Sequence, residues 1–170
     1  KLITSLPAPV ICAVNGVAAG AGASIALACD MVLAAESARF IQSFSKIGLV
    51  PDAGSSWVLP RRVGMARAMG LALTATALTA AEAVACGLIW KSHADAALLP
   101  AAEELTATLA SGPTTAFAAT KMLMQHAAST DFDTHLALEA STQKSCAESD
   151  DYSEGVEAFL QKRAAKFTGS

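Results

Sequence analysis

A glycine-rich turn early in the chain is the first segment whose residues could do chemistry. Residues 16–22 read GVAAGAG and join an apolar strand to an apolar helix. Backbone N–H groups at the start of a helix have no intrahelical acceptor, and the positive end of the helix dipole lies behind them, so they can stabilise developing negative charge. An oxyanion donor of this kind needs no side chain, so Ala21 could serve through its N–H. Close packing of a helix on a strand is the alternative interpretation of such a turn.

An aspartate in an apolar loop is the second candidate. Asp52 lies in GLVPDAG, residues 48–54, and Trp57 follows about one helical turn later. A carboxylate held among apolar groups can take up and return a proton near neutral pH. Because Asp just before a helix is also an ordinary N-cap residue, a structural cap is the alternative interpretation, and the two roles can coexist.

The spacing of the histidines and cysteines predicts no metal site. The three histidines are far apart in sequence, and none of the four cysteines forms a C-x-x-C pair or has a histidine at ligand spacing. Each cysteine lies in an apolar stretch, where a free thiol behaves as a small hydrophobic residue. Free thiols favour a reducing compartment, so we expect a cytoplasmic protein.

The composition indicates a folded domain rather than a disordered chain or a nucleic-acid-binding protein. The 170 residues are 53% hydrophobic and only 16% charged, which excludes intrinsic disorder. The net charge is −3 and the basic residues are scattered, so the basic surface expected of a nucleic-acid binder is missing. Residues 2–29 carry no charge, but prolines and an Asn-Gly turn interrupt this run, and it predicts no membrane span.

The elements that must position these residues follow from hydrophobic runs and turn signals. Strands are predicted over residues 10–14, 31–34, 38–42 and 88–90, with a turn at 15–20 and a loop at 43–51. Helices are predicted over residues 22–29, 53–59, 65–73, 83–86, 96–110, 113–126, 133–148 and 152–163. Thr79 with Glu82 and Asp151 with Glu154 indicate helix caps. The spacing of the first strands and helix predicts a βαβ unit, and the second half of the chain is all-helical.

Taken together, the motifs resemble the crotonase superfamily, the enoyl-CoA hydratase/isomerase family. The resemblance rests on PAPVICAVNGVAAGAGASIALACD (7–30), SARF (37–40), KIGLVPDAGSSWVLPR (46–61), TAAEAVACGLI (79–89) and EGVEAFLQKRAAKF (154–167). It spans essentially the whole sequence. It implies an α/β fold, a crotonase-like spiral of ββα units followed by a helical trimerisation region. Residues 1–110 would be the C-terminal portion of the spiral core, residues 111–170 the trimerisation and CoA-contacting region, and the N-terminal part of the domain would be absent from this chain.

The resemblance also implies a site. Members of this family bind acyl-CoA and stabilise a thioester enolate with two backbone N–H groups, and Ala21 matches one of these donors. The other belongs to an upstream segment that this chain lacks. Asp52 matches the acid used by isomerase branches. Hydratases of the family carry two glutamates at the positions that Ser24 and Phe44 hold here, so the resemblance favours isomerisation over hydration.

Further residues are expected to line the substrate site. With the catalytic pair Asp52 and Ala21, the expected substrate-binding residues are Gly20, Gly22, Ser24, Phe44, Leu49, Val50, Trp57 and Lys162. Lys162 matches the position where the family contacts the phosphate or adenine of CoA, although a cation at a helix end is the alternative interpretation. The resemblance implies no metal or redox cofactor, because the CoA thioester is itself the substrate.

Within the family, the branch that isomerises ring-epoxidised phenylacetyl-CoA, and that also shifts double bonds in enoyl-CoA, is the most similar. We therefore expect an acyl-CoA isomerase acting on a ring-epoxide phenylacetyl-CoA or a 3-enoyl-CoA. The expected assembly is a homotrimer or hexamer with no nucleic-acid or membrane partner. The alternatives are an enoyl-CoA hydratase of fatty-acid or aromatic degradation, a ring-forming CoA synthase of the same superfamily, and a non-catalytic acyl-CoA-binding subunit in which Asp52 is dispensable.

Overall fold

The computed structural model describes residues 1–170, which form two compact units. The first unit comprises Lys1–Ser5 and Val10–Glu104, and the second comprises Leu6–Pro9 and Leu105–Ser170. The units divide between residues 104 and 105, whereas the sequence placed the boundary after residue 110. The roles expected for the two parts of the chain stay predictions.

The first unit alternates short strands with short helices. Its strands are β1 (Ile11–Val14), β2 (Val17–Ala19), β3 (Met31–Ala35), β4 (Arg39–Ile41), β5 (Leu78–Thr79) and β6 (Lys91–His93). Its helices are α1 (Leu2–Ser5), α2 (Ala21–Ala28), α3 (Ser55–Val63), α4 (Met65–Thr74) and α5 (Ala80–Ala85), with 3₁₀ turns at Ser43–Ile47 and Asp95–Ala97. Helix α6 (Leu98–Ala110) begins in this unit.

Two three-stranded sheets carry the strands. One has the order β1-β3-β6 and is parallel throughout, with Cys12 opposite Val32. The other has the order β2-β4-β5, in which β2 and β4 are parallel, with Ala18 opposite Phe40, and β5 is antiparallel. The first two ββα units, β1-β2-α2 and β3-β4-α3, therefore each add their first strand to one sheet and their second strand to the other, and β5 and β6 then extend the two sheets in the opposite order. The predicted α/β fold class is confirmed.

Small side chains let α2 pack among these strands. Ala23, Ser24, Ala26 and Leu27 are buried along this eight-residue helix. The predicted helix is therefore present but buried on one side only, because Ile25 on the other side is 53% exposed in this chain. The parallel pairing of β1 with β3 on either side of α2 confirms the predicted βαβ unit.

Two predicted connections contain regular structure of their own. The predicted turn at 15–20 includes β2, a three-residue strand that is held by its pairing with β4. A strand this short has no recognisable sequence pattern. The predicted loop at 43–51 begins with the 3₁₀ turn over Ser43–Ile47. Both additions matter for the site, because they place the glycine turn and Phe44 on ordered backbone.

Two other predictions were wrong in position. The last strand lies at Lys91–His93 rather than 88–90, because the Leu88 and Ile89 amides donate to the Ala83 carbonyl and continue the end of α5 instead. Pro60 lies inside α3 rather than ending the helix before it. Gly64 ends this helix, and its amide donates to the Pro60 carbonyl. The Thr79–Glu82 capping box is present as predicted.

The second unit contains the remaining helices, α7 (Thr114–His126), α8 (Phe132–Ala147) and α9 (Asp150–Gln161). Ser149 caps α9 by accepting a hydrogen bond from the Tyr152 amide, so the predicted cap at Asp151 is wrong. The buried Asp151 carboxylate instead accepts the amides of Thr168 and Gly169 and fixes the end of the chain on this helix. None of the helices combines the length and apolar character that a membrane crossing requires.

Candidate active site

Gly20 shapes the turn that leads into α2. Its backbone has φ 51° and ψ −122°, a conformation that only glycine adopts without strain. The Gly20 amide donates to the Ile41 carbonyl of β4 at 2.9 Å, and its carbonyl accepts from the Ser24 amide at 3.0 Å. The turn is therefore fixed to the neighbouring strand at one end and to the first helical turn at the other.

The first amides of α2 are available as donors. Those of Ala21, Gly22 and Ala23 have no intrahelical acceptor, because the residues one turn earlier belong to β2. No side chain caps this helix, and Ala21 and Gly22 are exposed. An oxyanion placed at this end of the helix could accept a hydrogen bond from the Ala21 N–H, and the positive end of the helix dipole would stabilise its charge.

Ser24 and Phe44 lie beside the glycine turn, but neither presents a free polar group there. The Ser24 hydroxyl is buried and donates to the Gly20 carbonyl at 3.1 Å. The Phe44 ring is 5% exposed and lies 3.7 Å from the position that a Cβ on Gly20 would take. The structure thus brings Gly20, Ser24 and Phe44 together as a dry wall under the start of α2.

Asp52 opens the tight turn into α3 but does not cap that helix. Its carbonyl accepts the Ser55 amide at 2.9 Å, and both central residues of this turn have positive φ, 48° at Ala53 and 88° at Gly54. The N-cap residue is Gly54, without a side-chain hydrogen bond, so the cap interpretation of Asp52 is wrong. The Asp52 carboxylate is exposed and makes no hydrogen bond or ion pair.

The backbone beside this acid is strained. A residue other than glycine at positive φ costs about 1–2 kcal/mol, and Ala53 has φ 48°. Conformations of this kind concentrate at functional sites, where the surrounding structure holds them in place. This turn costs conformational energy at the start of α3, and it fixes the backbone orientation at Asp52.

The apolar residues predicted to surround Asp52 are exposed in this chain. Leu49, Val50 and Trp57 are 59%, 80% and 53% exposed. The Arg61 guanidinium lies 3.8 Å from the centroid of the Trp57 ring and donates to the Trp57 carbonyl. These side chains lie close to the acid in sequence and are exposed, so an acyl group could cover them on binding.

A buried polar pair next to this loop was missed at the level of sequence. The Ser55 hydroxyl donates to the Gln42 side-chain oxygen at 2.9 Å, and both residues are buried. Gln42 directly follows β4, and Ser55 is the first residue of α3. A polar side chain at the end of a buried strand is the signal that could have drawn attention to Gln42.

Arg62 was missed as well, and it holds the opposite end of α2. Its guanidinium donates to the carbonyls of Leu27 and Cys29 at 2.9 Å and to the Leu88 carbonyl at 3.0 Å. Burial lowers the pKa of Arg62, while the charges of Cys29 and Asp30 act in the opposite direction. A cation at the C-terminal end of α2 satisfies its last carbonyls and complements its dipole.

Lys162 belongs to the second unit. It ends α9 in a left-handed conformation with φ 54°, and it is exposed. Neither the first nor the second unit groups three or more His, Cys, Asp and Glu side chains in a way that could hold a metal ion.

Comparison with known proteins identifies the family of this chain. The sequence profile of the enoyl-CoA hydratase/isomerase family matches residues 1–170. A protein of Rhodobacter capsulatus named as a probable enoyl-CoA hydratase is 52% identical over 99% of this chain and 66% of its own length. A 1,2-epoxyphenylacetyl-CoA isomerase of Escherichia coli is 50% identical over 99% of this chain and 64% of its own length. The chain thus spans just under two thirds of these relatives.

Solved structures show the same fold. An enoyl-CoA hydratase of Polaromonas superposes with a TM-score of 0.94 at 37% identity, covering 98% of this chain and 65% of that one. An enoyl-CoA hydratase of Bacillus anthracis superposes with a TM-score of 0.95 at 32% identity, covering 99% of this chain and 66% of that one. With the profile match over its whole length, the chain belongs to the enoyl-CoA hydratase/isomerase family.

Proposed function

We propose that the protein is an acyl-CoA isomerase, which moves a proton and a double bond through an oxyanion-stabilised thioester enolate. The observation that carries the proposal is that Asp52 offers a free carboxylate, whereas Phe44 is apolar and the Ser24 hydroxyl is already hydrogen-bonded. The Asp52 carboxylate makes no hydrogen bond, whereas Phe44, at a position where the resemblance implies a glutamate in hydratases, is a buried ring. The likeness to the Escherichia coli isomerase supports this choice.

The chemistry follows from two groups. The Ala21 N–H donates to the thioester oxygen as negative charge develops there, and such donors are worth roughly 3–4 kcal/mol each. The Asp52 carboxylate accepts a proton from one carbon and the resulting carboxylic acid returns it to another. We expect the second oxyanion donor from another part of the full-length protein. The isomerisation involves no net oxidation or reduction and the CoA thioester is itself the substrate, so we propose that no metal or redox cofactor takes part.

The surroundings favour an apolar acyl group. Phe44 gives the site a dry wall, and the exposed Leu49, Val50 and Trp57 offer apolar surface beside the acid. We propose a ring-epoxide phenylacetyl-CoA or a 3-enoyl-CoA as substrate, with Lys162 contacting the phosphate or adenine of CoA. We further propose a homotrimer or hexamer located in the cytoplasm.

A double-bond shift assay tests this function. Conversion of 3-hexenoyl-CoA to the conjugated 2-enoyl-CoA is followed by ultraviolet absorbance for the full-length wild type and for Asp52→Asn. We expect the substitution to lower kcat by about 100-fold or more. The Tm should stay unchanged, because the Asp52 carboxylate makes no bond in the folded chain. A variant with full turnover would remove Asp52 from the mechanism.

Hydration is the second candidate function, and the likeness to the Rhodobacter capsulatus protein favours it. A hydratase would lower the ultraviolet absorbance of a 2-enoyl-CoA by adding water to its conjugated double bond. An isomerase would raise the absorbance of a 3-enoyl-CoA solution by forming that conjugated double bond. A non-catalytic acyl-CoA-binding subunit would bind CoA and do neither. Measuring both reactions and CoA binding on one preparation separates these cases.

A further inference from the structure

We propose that Gln42 and Ser55 act as positioning residues, which set the distance between the oxyanion donor and the acid. The proposal rests on the isomerase function argued above. In this proposal, the buried hydrogen bond between the two side chains holds the turn before α2 and the turn before α3 in a fixed relation.

Three hydrogen bonds connect the two catalytic segments through this pair. The Gly20 amide donates to the Ile41 carbonyl at 2.9 Å, and Gln42 is the next residue. The Gln42 side-chain oxygen accepts from the Ser55 hydroxyl, again at 2.9 Å. The Ser55 amide in turn donates to the Asp52 carbonyl at 2.9 Å. The residue before Ala21 is therefore joined to Asp52 through one side-chain contact.

Burial makes this contact specific. Gln42 is 4% exposed and Ser55 is not exposed at all, so water cannot replace either partner. A buried hydroxyl without its acceptor would be costly, which fixes Ser55 opposite Gln42. The two lie thirteen positions apart in sequence, and the 3₁₀ turn and the exposed loop lie between them.

The acid has no other anchor. The Asp52 carboxylate makes no hydrogen bond, and the turn at Ala53 and Gly54 holds an unfavourable backbone conformation. The position of the carboxylate is thus decided by the backbone that Ser55 holds. Since a misplacement of about 1 Å can lower a rate by about 100-fold, loosening this contact should reduce turnover more than substrate binding.

The test compares Gln42→Met, Ser55→Ala and the double variant in the full-length protein. Each single substitution leaves a buried polar group without its partner, so we expect a lower Tm. The double variant removes both polar groups, and its Tm should return towards that of the wild type. We expect its kcat for 3-hexenoyl-CoA to stay about tenfold or more below wild type, with KM changed less than about threefold.

Thr79→Ala is the control for lost stability, because the Thr79 side chain hydrogen-bonds to Glu82 in the cap of α5 rather than to Gln42 or Ser55. It should lower the Tm and leave kcat unchanged. A double variant with wild-type kcat would overturn the proposal, as would a kcat loss in Thr79→Ala as large as that in a single variant of similar Tm.

Amide hydrogen exchange provides a readout that does not depend on turnover. We expect faster exchange over residues 20–24 and 52–58 in the double variant than in the wild type, and unchanged exchange would overturn the link. Absence of turnover in the wild type would instead overturn the isomerase function, while the exchange result would still decide whether Gln42 and Ser55 join these segments.

Discussion

The backbone of Gly20 lies so close to Ser43 that a Cβ on Gly20 would be 3.1 Å from the Ser43 hydroxyl oxygen. The Phe44 ring follows at 3.7 Å. The turn before α2 is therefore packed directly against the 3₁₀ turn after β4, and a Cβ on Gly20 would require the Ser43 hydroxyl to shift. Two segments that the sequence presents as a turn and a loop form one tight contact.

Replacing Gly20 by alanine should damage this contact and the turn together. Its positive φ costs about 1–3 kcal/mol for a residue with a side chain, and the Cβ would also press on Ser43. We expect Gly20→Ala to lower the free energy of unfolding by that amount and to reduce kcat, because the Ala21 amide moves. Thermal unfolding and the isomerase assay measure both effects. Gly16→Ala is the control, since a Cβ there meets nothing within 4 Å and should change neither quantity.

Ser24→Ala separates a substrate-binding role from a structural one. The hydroxyl is buried and already donates to the Gly20 carbonyl, so we expect KM to change less than about twofold. The free energy of unfolding should fall by about 1 kcal/mol, the usual net value of one hydrogen bond. Steady-state kinetics with denaturant unfolding provide both numbers. A KM that rises tenfold would show that Ser24 leaves the Gly20 carbonyl to bind substrate.

Arg62 should be worth more to stability than its neighbour Arg61. Removing the guanidinium in Arg62→Met leaves the carbonyls of Leu27, Cys29 and Leu88 without their donor, and we expect a loss of about 3 kcal/mol. Arg61→Met removes one exposed hydrogen bond and a stacked cation, so it should cost less than about 1 kcal/mol. Urea unfolding of the two variants checks the difference, and equal losses would contradict the role assigned to Arg62.

Sequence patterns predicted the parts of this molecule that depend on local signals. The apolar runs around α2 and the Thr79 capping box were enough for the βαβ unit and for α5. The three residues of β2 carry too short a pattern to be recognised, because partner strands rather than propensity hold them in place.

The site was predictable in its residue types and less so in its geometry. The free donors at Ala21 follow from the order of strand, turn and helix, but the N-cap of α3 depended on the φ angles at Ala53 and Gly54. The contact between Gln42 and Ser55 joins residues thirteen positions apart, so no local sequence pattern predicts it. Likewise, an apolar loop gives no sign of whether Leu49 and Val50 are covered, and here both are exposed.

The end of the chain should respond to acid through Glu154. Its carboxylate accepts two hydrogen bonds from Arg163, at 2.6 and 2.8 Å, and one from the Lys166 amide at 2.7 Å. These bonds, those from Arg163 above all, lower the pKa of Glu154 from 4.5 to about 2. A carboxyl group whose pKa is lower in the folded chain than in the unfolded chain stabilises the fold above the unfolded value, and this stabilisation is lost as the pH falls towards the folded value.

Glu154→Gln tests this dependence. Above about pH 4.5, where Glu154 is ionised in both states, we expect the wild type to have the higher Tm, and the difference should shrink as the pH falls from there towards about 2. Glu157→Gln is the matched control, because this exposed carboxylate lies 3.9 Å from the same Arg163 and should change the Tm little at any pH. Thermal unfolding over a pH series provides the comparison. A Tm difference that stays constant down to pH 2 would mean that shape rather than charge at Glu154 holds the final residues against α9.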